Sequence, residues 1–109
     1  MNSAQIFRVA AFVAASLCAD SAGVAVAADN AATAKAGEAL YGAQCAVCHG
    51  PALRNPGGSF DLRNLKANEK ARFEKAVYDG KGQMPPWRGI LTAAQLNELW
   101  AYIRTRAYE

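Results

Sequence analysis

Three side chains that bind metals or react with electrophiles lie within five residues of one another: Cys45, Cys48 and His49. Two thiols separated by two residues and followed at once by an imidazole form the pattern at which haem is attached covalently. The thiols can add across the two vinyl groups of the porphyrin, and the adjacent imidazole then lies under the iron. Two other interpretations share this pattern, a redox-active dithiol and part of a zinc site.

The rest of the chain weakens both of those interpretations. Structural zinc takes four protein ligands, and catalytic zinc takes three plus water. Outside the C-x-x-C-H motif the sequence contains one further cysteine, Cys18, and no other histidine. A thioredoxin-like dithiol belongs to a strand-and-helix setting, whereas here a helix is predicted before the motif and a loop after it. Covalent haem is therefore the favoured interpretation.

The first 27 residues have the pattern of a cleaved secretory signal peptide. Arg8 precedes an apolar run that ends at Asp20, and small residues with an A-x-A cleavage site follow at 25–27. A membrane span would need roughly 18 or more apolar residues without such an interruption. We therefore expect cleavage after Ala27, a periplasmic location for the remaining domain at 28–109, and no membrane span after cleavage.

The expected mature domain is small and mildly charged. Removal of 27 from 109 residues leaves 82, and a domain of that size usually needs a cofactor or cross-link to supplement its core. Cys18 is lost with the signal peptide, and the two remaining cysteines are too close in sequence to form a stabilising disulfide framework. The net charge is only +3 and is dispersed, so the sequence does not indicate a nucleic-acid partner.

Hydrophobic periodicity predicts an all-α domain, since no stretch alternates long enough for a strand. The predicted elements are a first helix, a loop, a second helix and a last helix, at 31–45, 50–66, 67–79 and from Thr92 onward. Thr92 and Gln95 form a capping box, while Leu91 and Leu96 occupy the positions of a hydrophobic staple. Gly37 in the first helix suggests either close approach of another backbone or a tolerated surface glycine.

Met84 is the candidate for a second iron ligand. It is the only methionine besides Met1, and it lies in the sequence G-Q-M-P-P-W just after the second helix. If His49 binds one face of the iron, the remaining strong-field candidates are Met84 and lysines, and only Met84 lies in a rigid apolar loop. A lone methionine is ordinarily a core filler, but the flanking glycines and prolines favour iron ligation here.

With these features the chain resembles the class I c-type cytochromes, in particular the small bacterial members with a single haem. The resemblance extends over residues 33–107 and rests on Gly37, Tyr41, C-A-V-C-H-G, the M-P-P-W loop, Leu99 and Tyr102. It implies three main helices and loops around one haem c, bound through thioethers at Cys45 and Cys48, with His49 and Met84 as axial ligands. It also implies that Gly37 lies where the first and last helices cross.

One segment departs from the family. Many members have a proline two residues before a haem-packing leucine, and the carbonyl of that proline orients the proximal histidine. Here Phe60-Asp61-Leu62 occupies the equivalent region. Some carbonyl must still accept the histidine N–H, and the sequence leaves Phe60, Pro51 and Pro56 as candidates.

Two protein ligands would leave no position on the iron for a substrate, so the sequence predicts a one-electron carrier rather than an enzyme. Its partners would be a redox donor and acceptor, such as a dehydrogenase, an oxidase or a membrane cytochrome complex. One alternative is a dedicated subunit or acceptor of a quinoprotein dehydrogenase, whose cytochromes resemble the M-P-P-W-R-G and L-W-A-Y-I-R segments. Another is a haem sensor or peroxidase-like enzyme in which Met84 detaches.

Surface residues near the expected haem edge complete the predictions. The expected apolar docking rim consists of Ala46, Val47, Pro85 and Pro86. The basic residues that could surround it and steer acidic partners are Lys35, Lys75, Lys81 and Arg88. The candidates to bind the haem propionates are Arg63, Arg88 and Trp87.

Overall fold

The computed structural model describes the backbone of residues 22–106 and the side chains of residues 30–106. The helices are α1 (Ala22–Gln44), α2 (Ala46–His49), α3 (Lys70–Asp79) and α4 (Ala93–Arg106), with 3-10 turns at Pro51–Leu53, Leu62–Asn64 and Ala67–Glu69. Residues 22–106 contain no strand, only two isolated β-bridges that join Lys81 to Met84 and Arg88 to Leu91. The predicted all-α class is confirmed.

The boundaries of α1 differ most from the prediction. This helix begins at Ala22 rather than at residue 31, and it ends at Gln44. The added segment is rich in alanine, the best helix former, and contains no proline. The expected signal peptide at 1–27 overlaps the described residues only at 22–27, so its cleavage stays a prediction.

The two longest helices, α1 and α4, approach each other closely at Gly37. A Cβ atom on this residue would lie 1.8 Å from the carbonyl oxygen of Glu98 and 3.0 Å from the backbone nitrogen of Leu99. One turn later the ring of Tyr41 packs against Tyr102, with 5.3 Å between centroids. Of the two interpretations of Gly37, the structure confirms close backbone approach.

The start of α4 follows the predicted capping pattern. The backbone N–H of Thr92 donates to Oε1 of Gln95 at 2.9 Å, and the backbone N–H of Gln95 donates to Oγ1 of Thr92 at 3.1 Å. These reciprocal bonds satisfy donors that a helix start otherwise leaves unpaired. Leu91 and Leu96 are both buried in the core, as the staple requires.

A single apolar core joins the three long helices and the first 3-10 turn. Its buried members are Tyr41, Leu53, Leu65, Phe73, Val77, Leu91, Leu96, Leu99, Tyr102 and Ile103. Seven of these residues also line the cavity described below: Tyr41, Leu65, Phe73, Val77, Leu91, Leu99 and Ile103. The packing of the helices therefore also builds the apolar walls of the candidate site.

Candidate functional site

The C-x-x-C-H motif begins at the end of α1 and continues through the single turn of α2. The backbone N–H of Cys45 donates to the carbonyl of Tyr41 at 2.8 Å, and that of His49 donates to the carbonyl of Cys45 at 3.0 Å. Residues three apart share one face of a helical turn, and both Cys45 and Cys48 line one cavity. The local fold thus brings the two sulfur atoms to the same space.

The imidazole of His49 is oriented by a backbone carbonyl. Its Nδ1 lies 3.2 Å from the carbonyl oxygen of Phe60. A carbonyl oxygen can only accept, so Nδ1 carries the proton and donates it, and in the neutral imidazole Nε2 then has the lone pair. This is the tautomer of a histidine that binds a metal through Nε2. Among the three carbonyls that the sequence left open, the structure selects Phe60 over Pro51 and Pro56.

Side chains shape the loop that carries Phe60. Nδ2 of Asn55 donates to the carbonyl of Ser59 at 2.6 Å, and the backbone N–H of Gly57 donates to Oδ1 of Asn55 at 2.7 Å. Oγ of Ser59 donates to the carbonyl of Cys48 at 3.1 Å. The last bond connects the residue before Phe60 directly to the motif.

Met84 is positioned by a tight turn that follows α3. Lys81 and Met84 exchange backbone hydrogen bonds of 3.1 and 3.0 Å, and the backbone N–H of Trp87 donates to the carbonyl of Val77 at 2.9 Å. Gly80 lies so close to this turn that a Cβ atom on it would be 2.7 Å from the carbonyl oxygen of Met84. The half-buried Met84 side chain packs against the core.

His49 and Met84 line the same internal space. One cavity of about 120 Å³ is walled mostly by core side chains, and a neighbouring cavity of about 400 Å³ extends along the motif. The residues that line both are Cys45, His49, Phe60, Lys81, Met84 and Trp87. Because the two cavities share these residues, they adjoin each other between the motif and the Met84 turn.

The residues around this space fit a covalently bound haem. Apolar walls suit the body of a porphyrin, and two thiols from one helical turn lie at its side. The imidazole with a free Nε2 and the thioether of Met84 are the ligand types found together in cytochromes c. If a haem is bound, Cys45 and Cys48 would attach it, and His49 and Met84 would be available to the iron.

The same geometry disfavours the dithiol and zinc interpretations. Burial, and to a lesser extent the neighbouring Cys48, raises the pKa of the Cys45 thiol to about 11. A reactive dithiol needs the opposite, a thiol pKa lowered towards neutrality. Within the described side chains, no three His, Cys, Asp or Glu residues are grouped so that they could hold a metal ion.

Two of the candidate propionate partners have other contacts. Arg63 donates to Asp61 through Nε at 3.1 Å and Nη2 at 2.9 Å, and Nη2 of Arg88 donates to Asp79 at 2.6 Å. Neither arginine lines the two cavities, whereas Trp87 lines both. Trp87 therefore remains the candidate that the structure places at the site.

Sequence reasoning missed Arg72, which lines the smaller cavity. Its guanidinium lies 5.0 Å from the centroid of the Phe60 ring, and it forms a 3.0 Å ion pair with Glu69. The one local indication of this position is that Arg72 directly precedes Phe73, a buried residue of α3. Its contact with Phe60 depends on how an irregular loop folds back, which local patterns do not reveal.

Comparison with known proteins identifies the family. Residues 32–103 match the family model described as cytochrome c oxidase, cbb3-type, subunit III. The chain is a class I c-type cytochrome. This cytochrome is 34% identical over 79 residues to cytochrome c6 of Rippkaea orientalis, a match that covers 68% of the chain and 71% of that protein. It is 31% identical over 76 residues to cytochrome c6 of Synechocystis, covering 65% of the chain and 63% of that protein.

A third relative is much longer than this cytochrome. The chain is 31% identical over 78 residues to the quinohemoprotein alcohol dehydrogenase ADH IIB of Pseudomonas putida. That match covers 69% of the chain but only 11% of the dehydrogenase. No match to a solved structure was found.

Membership of this family establishes the cofactor and the general activity. The protein is a small haem cytochrome of electron transport with covalently bound haem c, and Cys45 and Cys48 fit the attachment motif. Its all-α architecture agrees with the cytochrome c fold. Over the part of the chain that the structure describes, no helix is both long enough and apolar enough to cross a bilayer.

Proposed function

We propose that this cytochrome is a periplasmic single-haem electron carrier that is not an enzyme, attached to haem at Cys45 and Cys48, with His49 and Met84 as axial ligands. One observation carries the proposal: His49 and Met84 both line the two adjoining cavities. The hydrogen bond from Nδ1 of His49 to the Phe60 carbonyl supports it, because Nε2 of the neutral imidazole is then available to a metal. When bound, the haem supplies reversible one-electron exchange between ferric and ferrous iron.

The ligand set favours electron transfer over catalysis. If His49 and Met84 both bind the iron, no coordination position would remain for a substrate. With a haem bound, the Met84 thioether and the apolar walls would favour the ferrous state and raise the reduction potential. The hydrogen bond from His49 to Phe60 acts in the other direction, because it increases the basicity of the imidazole. These residues together would set the potential.

The surface beside the cavity suits docking of a redox partner. Val47 is 88% exposed and lines the larger cavity together with the exposed Pro85. Lys81 is an exposed cation that lines both cavities, whereas Lys75 and Arg88 form ion pairs with Asp79. We propose an acidic partner here, with an association rate that falls as salt increases.

The periplasmic location rests on the predicted signal peptide at 1–27. Cleavage after Ala27 would leave the helical contacts at Gly37 and Tyr41 intact, because both lie well beyond the cleavage site. The mass of the protein isolated from a periplasmic extract tests this step. A mass that includes residues 1–27 would contradict it.

Replacement of the proposed second ligand tests the iron site. We expect Met84→Ala to change the optical spectrum, to lower the reduction potential and to let the reduced protein bind carbon monoxide. Gln83→Ala is the matched control, because Gln83 is the exposed neighbour and also lines the larger cavity. An unchanged spectrum in Met84→Ala would rule out ligation by Met84. Carbon monoxide binding by the wild type at neutral pH would instead favour the sensor or peroxidase-like alternative.

A second candidate function is that of a dedicated cytochrome subunit or electron acceptor of a quinoprotein dehydrogenase. The observation that favours it is the match to part of a quinohemoprotein alcohol dehydrogenase. A permanent subunit should copurify with such an enzyme in a fixed ratio, whereas a free carrier should elute alone. Gel filtration of the protein from its native extract separates the two.

A further inference from the structure

Phe60 contacts both His49 and Arg72, the first through its backbone carbonyl and the second through its ring. Its carbonyl accepts the Nδ1 proton of His49 at 3.2 Å, and its ring lies under the guanidinium of Arg72 at 5.0 Å. Among the described residues, the contact with His49 is the single hydrogen bond that the backbone of Phe60 makes. The side chain is 45% exposed, so burial alone does not fix its position.

Arg72 is itself held in place on the helix side of this contact. Its Nη1 donates to Oε1 of Glu69 at 3.0 Å, and the other oxygen of Glu69 accepts from the backbone N–H of Lys66 at 2.8 Å. The next residue, Phe73, is buried in the core. The ion pair with Glu69 keeps the guanidinium near the Phe60 ring, where a cation–π contact can form.

We propose that Arg72 is a positioning residue for His49. By stacking on the ring of Phe60, it holds the Phe60 carbonyl against the Nδ1 proton and so fixes the orientation and donor strength of the imidazole. This inference rests on the proposed ligation of iron by His49. Loss of the stacking contact lets the carbonyl move away, the imidazole becomes a weaker donor, and the reduction potential rises.

The charge of Arg72 has the opposite effect on the potential. A cation beside the cavity disfavours the ferric state, so removal of its charge alone would lower the potential. The two effects can be separated because Phe60→Leu removes the aromatic ring and keeps every charge and the backbone carbonyl. Arg72→Gln removes both the charge and the stacking contact.

The test is a double-mutant cycle of Phe60→Leu and Arg72→Gln in the holoprotein. NMR measures the rate at which the His49 Nδ1 proton exchanges with solvent, and a redox titration measures the reduction potential. We expect each single variant to speed exchange about threefold, as for loss of an exposed cation–π contact. The double variant should be no faster than either single variant. Lys75→Gln is the control, because it removes one charge from α3 at an 81% exposed side chain.

Each outcome of this experiment decides the proposal. Faster exchange in both single variants without a further increase in the double variant supports it. Unchanged exchange in Arg72→Gln, or purely additive effects, overturns it, and a lowered potential alone would then report only a charge effect. If the His49 ring signals of the ferric wild type show no shift from the iron, His49 is not a ligand. That result overturns the proposed ligation itself and is visible before any variant is made.

Discussion

The chain leaves α2 at Gly50 and α3 at Gly80 with nearly the same backbone conformation. Gly50 has φ 84° and ψ 155°, and Gly80 has φ 75° and ψ 166°. This region is open almost only to glycine. The segments with the two proposed iron ligands are thus joined to their helices by equivalent turns, with His49 just before one glycine and Met84 shortly after the other.

Beyond these glycines the two segments are held by different kinds of contact. On the His49 side, the loop depends on polar side chains: those of Asn55, Ser59 and His49, together with the Tyr41 hydroxyl, which donates to the Gly50 carbonyl at 2.6 Å. On the Met84 side, backbone hydrogen bonds attach the loop to α3. The N–H of Trp87 donates to the carbonyl of Val77 at 2.9 Å, and the N–H of Arg88 donates to the carbonyl of Tyr78 at 3.2 Å.

This difference determines which substitutions each side can tolerate. A bond made by a side chain is lost when that residue changes, whereas a backbone bond survives most substitutions and fails only when the path of the chain is blocked. The His49 side should therefore be sensitive to the identity of several residues. The Met84 side should be sensitive chiefly at Gly80.

The largest effects are expected when the two glycines themselves are replaced. A Cβ atom at Gly50 would lie 1.8 Å from the carbonyl oxygen of Arg54, whereas one at Gly80 would lie 2.7 Å from that of Met84. The conformation alone costs about 1–3 kcal/mol for another residue. We expect Gly50→Ala to lose roughly 3–5 kcal/mol of unfolding free energy and Gly80→Ala about 2 kcal/mol.

Denaturant unfolding of the two holoproteins measures this difference, and Gly57→Ala provides the control. Gly57 also has a positive φ, of 95°, but a Cβ atom there would meet nothing within 4 Å. Its alanine variant should therefore report the conformational cost without a clash. Equal losses at Gly50 and Gly80 would show that the closer backbone approach at Gly50 adds nothing to the cost of the substitution.

A smaller effect is expected from Tyr41→Phe, which tests the side-chain bonds of the His49 side. The Tyr41 hydroxyl is buried, and burial is the main reason that its pKa is raised to about 12. It therefore remains a donor throughout the neutral range. Its removal leaves the Gly50 carbonyl without this partner and should cost about 1–2 kcal/mol.

Thermal unfolding at neutral pH measures the Tyr41→Phe effect, with Tyr78→Phe as the control. Tyr78 is only half-buried and contributes its ring face to Arg88, so loss of its hydroxyl should change the midpoint little. A Tyr41→Phe variant as stable as the wild type would show that the loop after α2 does not need this bond.

A related contrast, between short-range patterns and contacts of distant segments, explains what the sequence alone could predict. Features set by short-range patterns were predicted correctly, such as the capping box at Thr92 and Gln95 and the amphipathic helices. For Gly37, two interpretations remained open from the sequence, a close backbone approach and a tolerated surface glycine. Only the position of the Glu98 carbonyl on the opposite helix decided between them. The start of α1 was predicted wrongly, because an alanine-rich segment has high helix propensity without an amphipathic pattern to reveal it.

The site was less predictable where side chains from distant segments meet. Met84 was singled out as a ligand candidate because it lies among glycines and prolines in the sequence, and its ligation stays a proposal. The choice of the Phe60 carbonyl and its contact with Arg72 could not be read from any local pattern, since the loop at 50–61 has no repeating periodicity. Arg63 and Arg88 were candidate propionate partners because arginine binds carboxylates in a bidentate manner. No local pattern revealed that both pair with nearby aspartates.

The smallest effect is expected at Asp79, whose side chain forms ion pairs on the Met84 side. Asp79 accepts from Arg88 at 2.6 Å and from Lys75 at 3.4 Å, and chiefly the Arg88 bond holds the pKa of its carboxyl below its ordinary value of 3.8. These side chains are exposed to solvent, so the ion pair is screened. We expect Asp79→Asn to lower the unfolding midpoint less than Tyr41→Phe does.

The pH dependence of the Asp79 effect has a definite sign. A lowered pKa means that the folded protein stabilises the carboxylate, so the contribution is constant from neutral pH down to about pH 5. It is then lost as the pH falls through 3.8 and below, where the carboxyl becomes protonated. The midpoints of the wild type and Asp79→Asn should therefore converge in acid and also in high salt. If instead Asp79→Asn destabilises the protein as much as Gly80→Ala, the Met84 side would depend on a side chain after all, and the distinction between the two sides would fail.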